Sequence, residues 1–422
     1  MKRILFLFNE ELSANGICAK AVIKELQKKG YEVECISNQE INLPNEETVS
    51  GVRYSRIKPR LTYRLMSKKL HENGVKGKLI STLGFLLNKL KLIMSIPTWP
   101  LISFSYTFRF YKTAKQIYKQ RPYDMIITVY SQIDTLIAGY LIKKKYPNVK
   151  FTPYFLDSLS GGYGPKMFTN KWTIKRGKKW EKIILRQADL IIAMQSSKSH
   201  HKKYSMNEDY YKKIIFLDIP LLINNQNSIS NDKFLSEDTI NFVYVGSIPC
   251  HIRNPKYILE VFSRLNIGDC TFTIIGTNTC PDVFIKALEN SGKNKIRVLD
   301  PKPHNEIISI LSHSDFLVNI GNSLNTMIPS KIFEYMSFGK PIISTSSIFD
   351  DPSKEYFKMY PLTVSIDEDW NKIDQNVMMV ERFVNDNLNE TVNVDEIQKV
   401  MYENTPKAFV DVINNFFAVG EI

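Results

Sequence analysis

Short apolar runs alternate with amphipathic stretches along nearly the whole chain. Residues 4–8 predict a buried strand, 18–30 a helix and 31–36 a second strand. The alternation resumes with strands at 125–129, 151–156, 190–194 and 214–217, and with helices at 133–145 and 172–186. Strands written as continuous apolar runs and separated by helices imply parallel βαβ units whose sheet is covered on both faces. Residues 225–238, rich in Asn, Ser and Asp and without periodicity, predict a linker. A second series follows, with strands at 242–245, 272–275, 296–299, 316–320, 342–345 and 362–366. Helices at 257–265, 283–289 and 306–312 lie between them. The expected fold is α/β, with two doubly wound Rossmann-like domains (1–224 and 239–405) facing a central cleft and a last helix beginning at residue 406.

The length of 422 residues agrees with two or three domains. Five scattered cysteines without metal-ligand spacing read as buried thiols of a reducing compartment. The first apolar run is cut short by Asn9, Glu10 and Glu11, too early for a signal peptide, so a cytoplasmic chain is expected. Charge changes the picture more. Residues 51–121 hold 16 Lys or Arg and one acidic residue, Glu72, which accounts for the net charge of +13. Within this insertion Lys68, Lys69, Lys76, Lys78, Lys89 and Lys91 interleave with Leu79, Leu83, Phe85, Leu86, Leu90 and Ile93. Trp99, Phe104, Tyr106, Phe108 and Phe110 follow. Lys89, Lys91, Pro97 and Pro100 rule out an uninterrupted span, and an amphipathic segment lying on the anionic inner membrane surface is expected. The alternative is a solvated helical insertion packed on its own domain. No nucleic-acid motif accompanies the basic residues, so nucleic acid is not an expected partner.

Residues 327–343, Met-Ile-Pro-Ser-Lys-Ile-Phe-Glu-Tyr-Met-Ser-Phe-Gly-Lys-Pro-Ile-Ile, carry the most specific chemistry. Pro329 suits a first helical position, Ser330 and Lys331 stand at a helix start that favours phosphate, and Glu334 places a carboxylate one turn in. Gly339 and Pro341 end the helix before a buried strand. Phosphate donors followed by a carboxylate for a ribose diol form the pattern of a nucleotide site.

The run resembles the donor-site signature of glycosyltransferase family 4, the retaining, nucleotide-sugar-dependent enzymes with the GT-B fold, most densely over residues 328–343. The resemblance implies that Glu334 binds the ribose hydroxyls of a nucleoside-diphosphate sugar. Family members often carry another Glu eight residues earlier; here that position is Thr326. It also implies a C-terminal nucleotide domain, an N-terminal acceptor domain, and a final helix that returns to the first domain. An acceptor that is lipid-linked or a surface-polysaccharide precursor fits the basic insertion. Relatives often have Arg directly after the glycine of the first turn in the second domain and Lys a few residues on. In Gly246-Ser247 the Arg is missing, so Arg253 or Lys256 must supply the cation, and Arg253, whose fork matches phosphate, is preferred.

Gly276 ends a neighbouring strand, where open α/β sheets bind ligands. Asn15 and Gly16 in the turn after the first strand are candidates on the acceptor side, with a plain turn as the alternative. Asp157 is positioned either to polarise an acceptor hydroxyl or to cap the next turn. Relatives frequently have a His near this place. Asp367 and Asp369 imitate the Asp-x-Asp metal motif of another glycosyltransferase fold, but acidic capping of the helix starting near Trp370 is the preferred reading. No metal and no cofactor are expected, because leaving-group charge is met by Arg253, Lys331 and backbone amides. The alternatives are a nucleotide-sugar epimerase of the same fold and, more distantly, a non-enzymatic nucleic-acid-binding protein.

Overall fold

A computed structural model of the chain describes residues 1–40, 43–68, 75–161, 165, 167–226, 234–290, 294–323 and 328–419. The chain divides into two compact units, one formed by Met1–Asp218 with Lys407–Ile422 and the other by Ile219–Pro406. The first unit ends at Asp218, ahead of the expected residue 224. Asn225 and Gln226 are already tied to the second unit, through Ser337 and the Val392 carbonyl. Half of the predicted linker, residues 227–233, lies outside the described residues.

The first unit holds strands β1 (Arg3–Leu7), β2 (Glu32–Asn38), β3 (Glu46–Val49), β4 (Val52–Ile57), β5 (Met125–Tyr130), β6 (Lys150–Phe155), β7 (Ile191–Met194) and β8 (Ile214–Leu217). They form one sheet in the order β3-β4-β2-β1-β5-β6-β7-β8, parallel except for the β3–β4 hairpin. All five residues of β1 are buried, as an inner strand covered on both faces requires. The hairpin was not expected. Its outer strand is polar and mostly exposed, and it turns through Ser50 and Gly51, both with positive φ.

The second unit holds β9 (Ile240–Val245), β10 (Cys270–Ile275), β11 (Lys295–Leu299), β12 (Phe316–Ile320), β13 (Ile342–Ser346) and β14 (Thr363–Asp367). Its sheet is fully parallel, in the order β11-β10-β9-β12-β13-β14. The chain runs outward from β9 to β11 and then returns to β12 beside β9. The strand order therefore reverses between β9 and β12, and in the first unit likewise between β1 and β5. Such switch points open a crevice at the carboxyl ends of the strands.

The final helix, Pro406–Val419, packs on the first unit. Phe409 meets the Tyr154 ring at 4.8 Å between centroids, and Tyr31 donates to Asn414 Oδ1 at 2.6 Å.

The basic insertion is partly structural. The helix Phe104–Gln120 buries Tyr106, Phe110, Ala114 and Ile117 in the core of the first unit. Trp99 is buried as well, and its carbonyl accepts from Trp180 Nε1 at 3.1 Å. Three of the five aromatic residues expected at a membrane are therefore buried, Tyr106 and Phe110 because their helix packs into the core and Trp99 in the turn ahead of it. Some of the charge is also spent internally. Arg56 is sealed against Glu11, and Arg60 pairs with the buried Asp134. Leu79, Leu83, Phe85, Leu86, Leu90 and Ile93, on the preceding helix Val75–Met94, remain exposed.

Candidate functional site

The strand switch of the second unit gathers most of the expected donor residues. After β9 the chain turns at Gly246, whose φ is +146° and whose amide donates to the Ile275 carbonyl at 2.9 Å. After β10 it turns again at Gly276, φ +147°. A Cβ on Gly276 would lie 2.1 Å from the Gly246 carbonyl oxygen, so the two turns touch only because Gly276 has no side chain. Ser247 is exposed here. Its carbonyl accepts from Arg253 Nη1 at 3.0 Å, and its hydroxyl meets Thr277 Oγ1 at 2.9 Å.

Arg253 is held from three sides. Its Nε donates to Asn322 Oδ1 at 2.9 Å, and its Nη1 donates to the Tyr244 hydroxyl at 3.2 Å as well as to Ser247. Asn322 follows β12, so this bond spans the switch point. The Ser323 amide reinforces it by donating to the Ile252 carbonyl at 2.7 Å. Burial raises the Tyr244 pKa, and the Arg253 charge opposes that rise.

The signature run forms a short helix, Lys331–Met336, with Ser330 at its N-cap. Pro329 lies before the cap rather than at the first helical position, and Gly339 has φ +70°, as a helix-ending glycine does. Six residues make little dipole, so any preference for an anion must come from side-chain charge and local amides. Tyr335 fixes this helix to the end of β9. Its hydroxyl accepts from the Val245 amide at 2.8 Å and donates to the Val245 carbonyl at 3.2 Å. Burial drives the Tyr335 pKa well up, Tyr244 and Glu334 add to the rise, and Arg253 opposes it. The same hydroxyl thus feels both charged groups of the site.

Glu334 is 5% exposed, although it sits on a helix surface. Lys331 Nζ donates to its Oε2 at 2.7 Å, and His304 Nδ1 lies 3.7 Å from its Oε1. A carboxylate kept so close to dry and balanced by a half-buried lysine is not an ordinary surface group. Thr326 falls outside the described residues.

Lys256 has an aromatic partner of its own. Its ammonium lies over the Trp370 ring, 5.0 Å from the centroid, beside a hollow lined by Glu260, Ser263, Asp282 and Lys286. Asp369 accepts from the Asn371 amide at 3.0 Å as a helix cap, and Asp367 pairs with Lys354 at 2.8 Å.

In the first unit Asn15 bridges the other switch point. Its Nδ2 donates to the Tyr130 carbonyl at 3.1 Å and to Ser131 Oγ at 2.9 Å, linking the turn after β1 to the turn after β5. Asp157, after β6, is exposed overall. Loss of water around its carboxyl raises its pKa, and a hydrogen bond from Asn15 opposes the rise. Gly16 lies inside the first turn of the helix Ala14–Lys28, not in the loop. A Cβ there would strike the carbonyl oxygens of Glu10 and Glu11, at 2.2 and 2.7 Å. Its smallness lets its own loop pack closely.

Sequence reasoning missed His304, Asn322, Tyr244 and Tyr335. Each acts through contacts made by the fold; only Tyr335 stands in a local pattern, the signature run, and its bonds to Val245 are not written there. It also missed His200, whose Nε2 lies 2.7 Å from Ser160 Oγ in the loop that carries Asp157.

Comparison with known proteins places these features. Residues 239–353 match the family model described as glycosyl transferases group 1. No curated protein sequence matches the chain. Among solved structures, sucrose-phosphate synthase from Thermosynechococcus elongatus is similar over 99% of this chain and 100% of its own, with a TM-score of 0.63 at 13% identity. A lipopolysaccharide outer core galactosyltransferase is similar over 99% of both chains, with a TM-score of 0.52 at 13% identity. A protein assigned as UDP-N-acetylglucosamine 2-epimerase from Listeria monocytogenes is similar over 99% of this chain and 97% of its own, with a TM-score of 0.54 at 10% identity. The chain has the GT-B fold, and its second unit carries a group 1 glycosyltransferase domain. It is a glycosyltransferase.

Proposed function

We propose that the enzyme moves a sugar from a nucleoside-diphosphate sugar to a lipid-linked or surface-polysaccharide acceptor at the inner face of the cell membrane, with retention of configuration. The observation that carries the donor assignment is the near-dry Glu334, paired with Lys331 beside the strand switch that Arg253 and Asn322 span. Glu334 accepts the ribose hydroxyls. Lys331 exchanges its carboxylate partner for a phosphate, and Arg253 meets the charge that grows on the departing diphosphate. Fixed donors aimed at developing charge supply much of the catalysis in such sites. The diphosphate is already a good leaving group, so the reaction needs no divalent metal, and a chelator should leave turnover unchanged. Loss of activity with chelator, restored by a divalent metal, would return Asp367 and Asp369 to consideration. Asp157 and Asn15 take the acceptor hydroxyl. A raised pKa makes a carboxylate a better base, and Asp157 is shifted in that direction.

An epimerase of the same fold would use the same donor without an acceptor. The exposed apolar and basic insertion has no task in that reaction, and this favours transfer. Calorimetric titration with UDP, GDP and ADP tests the donor site directly. Micromolar binding of one of them is expected, and no binding of any would remove the assignment.

A further inference from the structure

The helix Val75–Met94 presents Leu79, Leu83, Leu86, Leu90 and Ile93 at alternating spacings of four and three residues, which aligns them along one face. They are 73, 52, 57, 55 and 58% exposed. Its other side is partly covered, with Gly84 buried and Lys91 reaching Ser103 Oγ at 3.4 Å. Phe85, Leu92 and Met94 extend the exposed apolar surface on the flanks of the stripe. Soluble proteins rarely leave a continuous apolar strip of this kind without an occupant.

We propose that this stripe is the part of the enzyme that enters the membrane, lying flat in the interface of an anionic bilayer with its leucines among the upper acyl chains. The proposal rests on the reading of a lipid-linked acceptor and says what brings the enzyme to it. Two occupants suit a stripe with four-three spacing: a lipid surface and the same stripe of a second copy. Charge decides between them. Paired helices of this kind are matched by opposite charges beside the seam. Residues 51–121 contain a single acidic residue, so two copies would bring Lys against Lys. Anionic headgroups complement the same lysines. Lys89 lies 4.6 Å from the Phe85 ring centroid, an arrangement in which the ring sinks and the long amine reaches up to the headgroups. No helix among the described residues is long and apolar enough to cross a membrane, which agrees with a helix lying in the plane.

The proposal separates apolar insertion from simple charge attraction, because exposed charges are screened by salt and buried leucines are not. The full chain is sedimented with phosphatidylglycerol–phosphatidylcholine vesicles and with pure phosphatidylcholine vesicles, at 0.1 and 0.5 M salt. The comparison is with the triple variant Leu83→Ser, Leu86→Ser and Leu90→Ser. All three positions are exposed, so folding should be unaffected, and the thermal midpoint checks this. Wild type should bind the anionic vesicles and retain a measurable part of that binding at high salt. The triple variant should partition about 1,000-fold less, since each of the three leucines contributes roughly tenfold. Light scattering should find both proteins monomeric. Equal partition of the two proteins, or equal binding of wild type to both vesicle types, would overturn the proposal. So would a wild-type dimer that the triple variant dissociates. Nucleoside-diphosphate binding is titrated on the same preparations. A failure there counts against the donor site and leaves the vesicle result standing.

Discussion

Replacing Glu334 by alanine separates the nucleotide reading from every structural explanation of that residue. The carboxylate is 5% exposed and already has a partner in Lys331 at 2.7 Å. Its removal has two consequences of different size. The lysine side chain is 28% exposed, so water can take over much of its charge, and the folding cost stays well below the 3–5 kcal/mol of breaking a fully buried pair. About 1–2 kcal/mol is expected, a shift of several degrees in the thermal midpoint for a unit of this size. Loss of a hydrogen bond from a ribose hydroxyl to a charged group is worth about 1.5–3 kcal/mol, or roughly 10–150-fold in affinity. Calorimetry with whichever nucleoside diphosphate binds wild type, and with its 2′,3′-dideoxy analogue, completes a thermodynamic cycle. Wild type should bind the dideoxy compound at least tenfold more weakly. Glu334→Ala should bind both compounds alike, at the weaker level, and Glu334→Gln should fall between. A folded Glu334→Ala protein that still distinguishes the two nucleotides would refute the ribose contact, and an unaltered affinity would refute the site.

Arg253→Ala should lower turnover by about 100-fold or more while changing donor affinity much less, because leaving-group charge is greatest in the transition state; unchanged kinetics would make Arg253 a brace for Asn322 and Ser247 only. His201 is 1% exposed, neither ring nitrogen has a hydrogen-bond partner among the described residues, and burial lowers its pKa to about 4. The unfolded chain, with an ordinary value near 6.5, then binds more protons than the folded one, so stability should fall as pH drops from about 6.5 to about 4. About 2 kcal/mol should be lost between pH 7 and pH 5 in urea denaturation, a loss that His201→Leu should largely abolish, and an equal pH dependence in both proteins would contradict the assignment.

The sheets were legible because inner parallel strands must be apolar on both faces, and that requirement writes itself as unbroken runs such as those of β5, β9 and β12. The hairpin of β3 and β4 left no such trace, since an outer strand faces water and Glu46–Val49 is correspondingly polar. The helix Lys198–Ser205 escaped for the same reason: of its eight residues only His201 and Ser205 are buried. At the site, Gly246, Arg253, Lys331 and Glu334 were legible because each stands at a strand end or in the helix that follows one. The contact of Lys256 with Trp370 was not legible, because the two are distant in sequence and nothing near Lys256 announces it. His304 and Asn322 reach the site from other strand ends, and their roles exist only once the sheet is assembled. The aromatic residues of the insertion show the limit of composition. Trp99 and Tyr106 are amphipathic and suit a membrane interface, yet the same property suits a core that offers a hydrogen bond, as Asn9 Nδ2 does to the Tyr106 hydroxyl at 2.8 Å.

The central claim is transfer of a sugar from a nucleotide donor to an acceptor. Labelled UDP-, GDP- and ADP-sugars are incubated with the purified chain, alone and with a membrane lipid extract, and the sugar and nucleotide products are resolved. The account predicts that one donor passes its label to the lipid fraction with release of an equal amount of nucleoside diphosphate, and that donor alone stays largely intact. Conversion of the donor alone into an isomeric nucleotide sugar, with no label reaching the lipid, would contradict it.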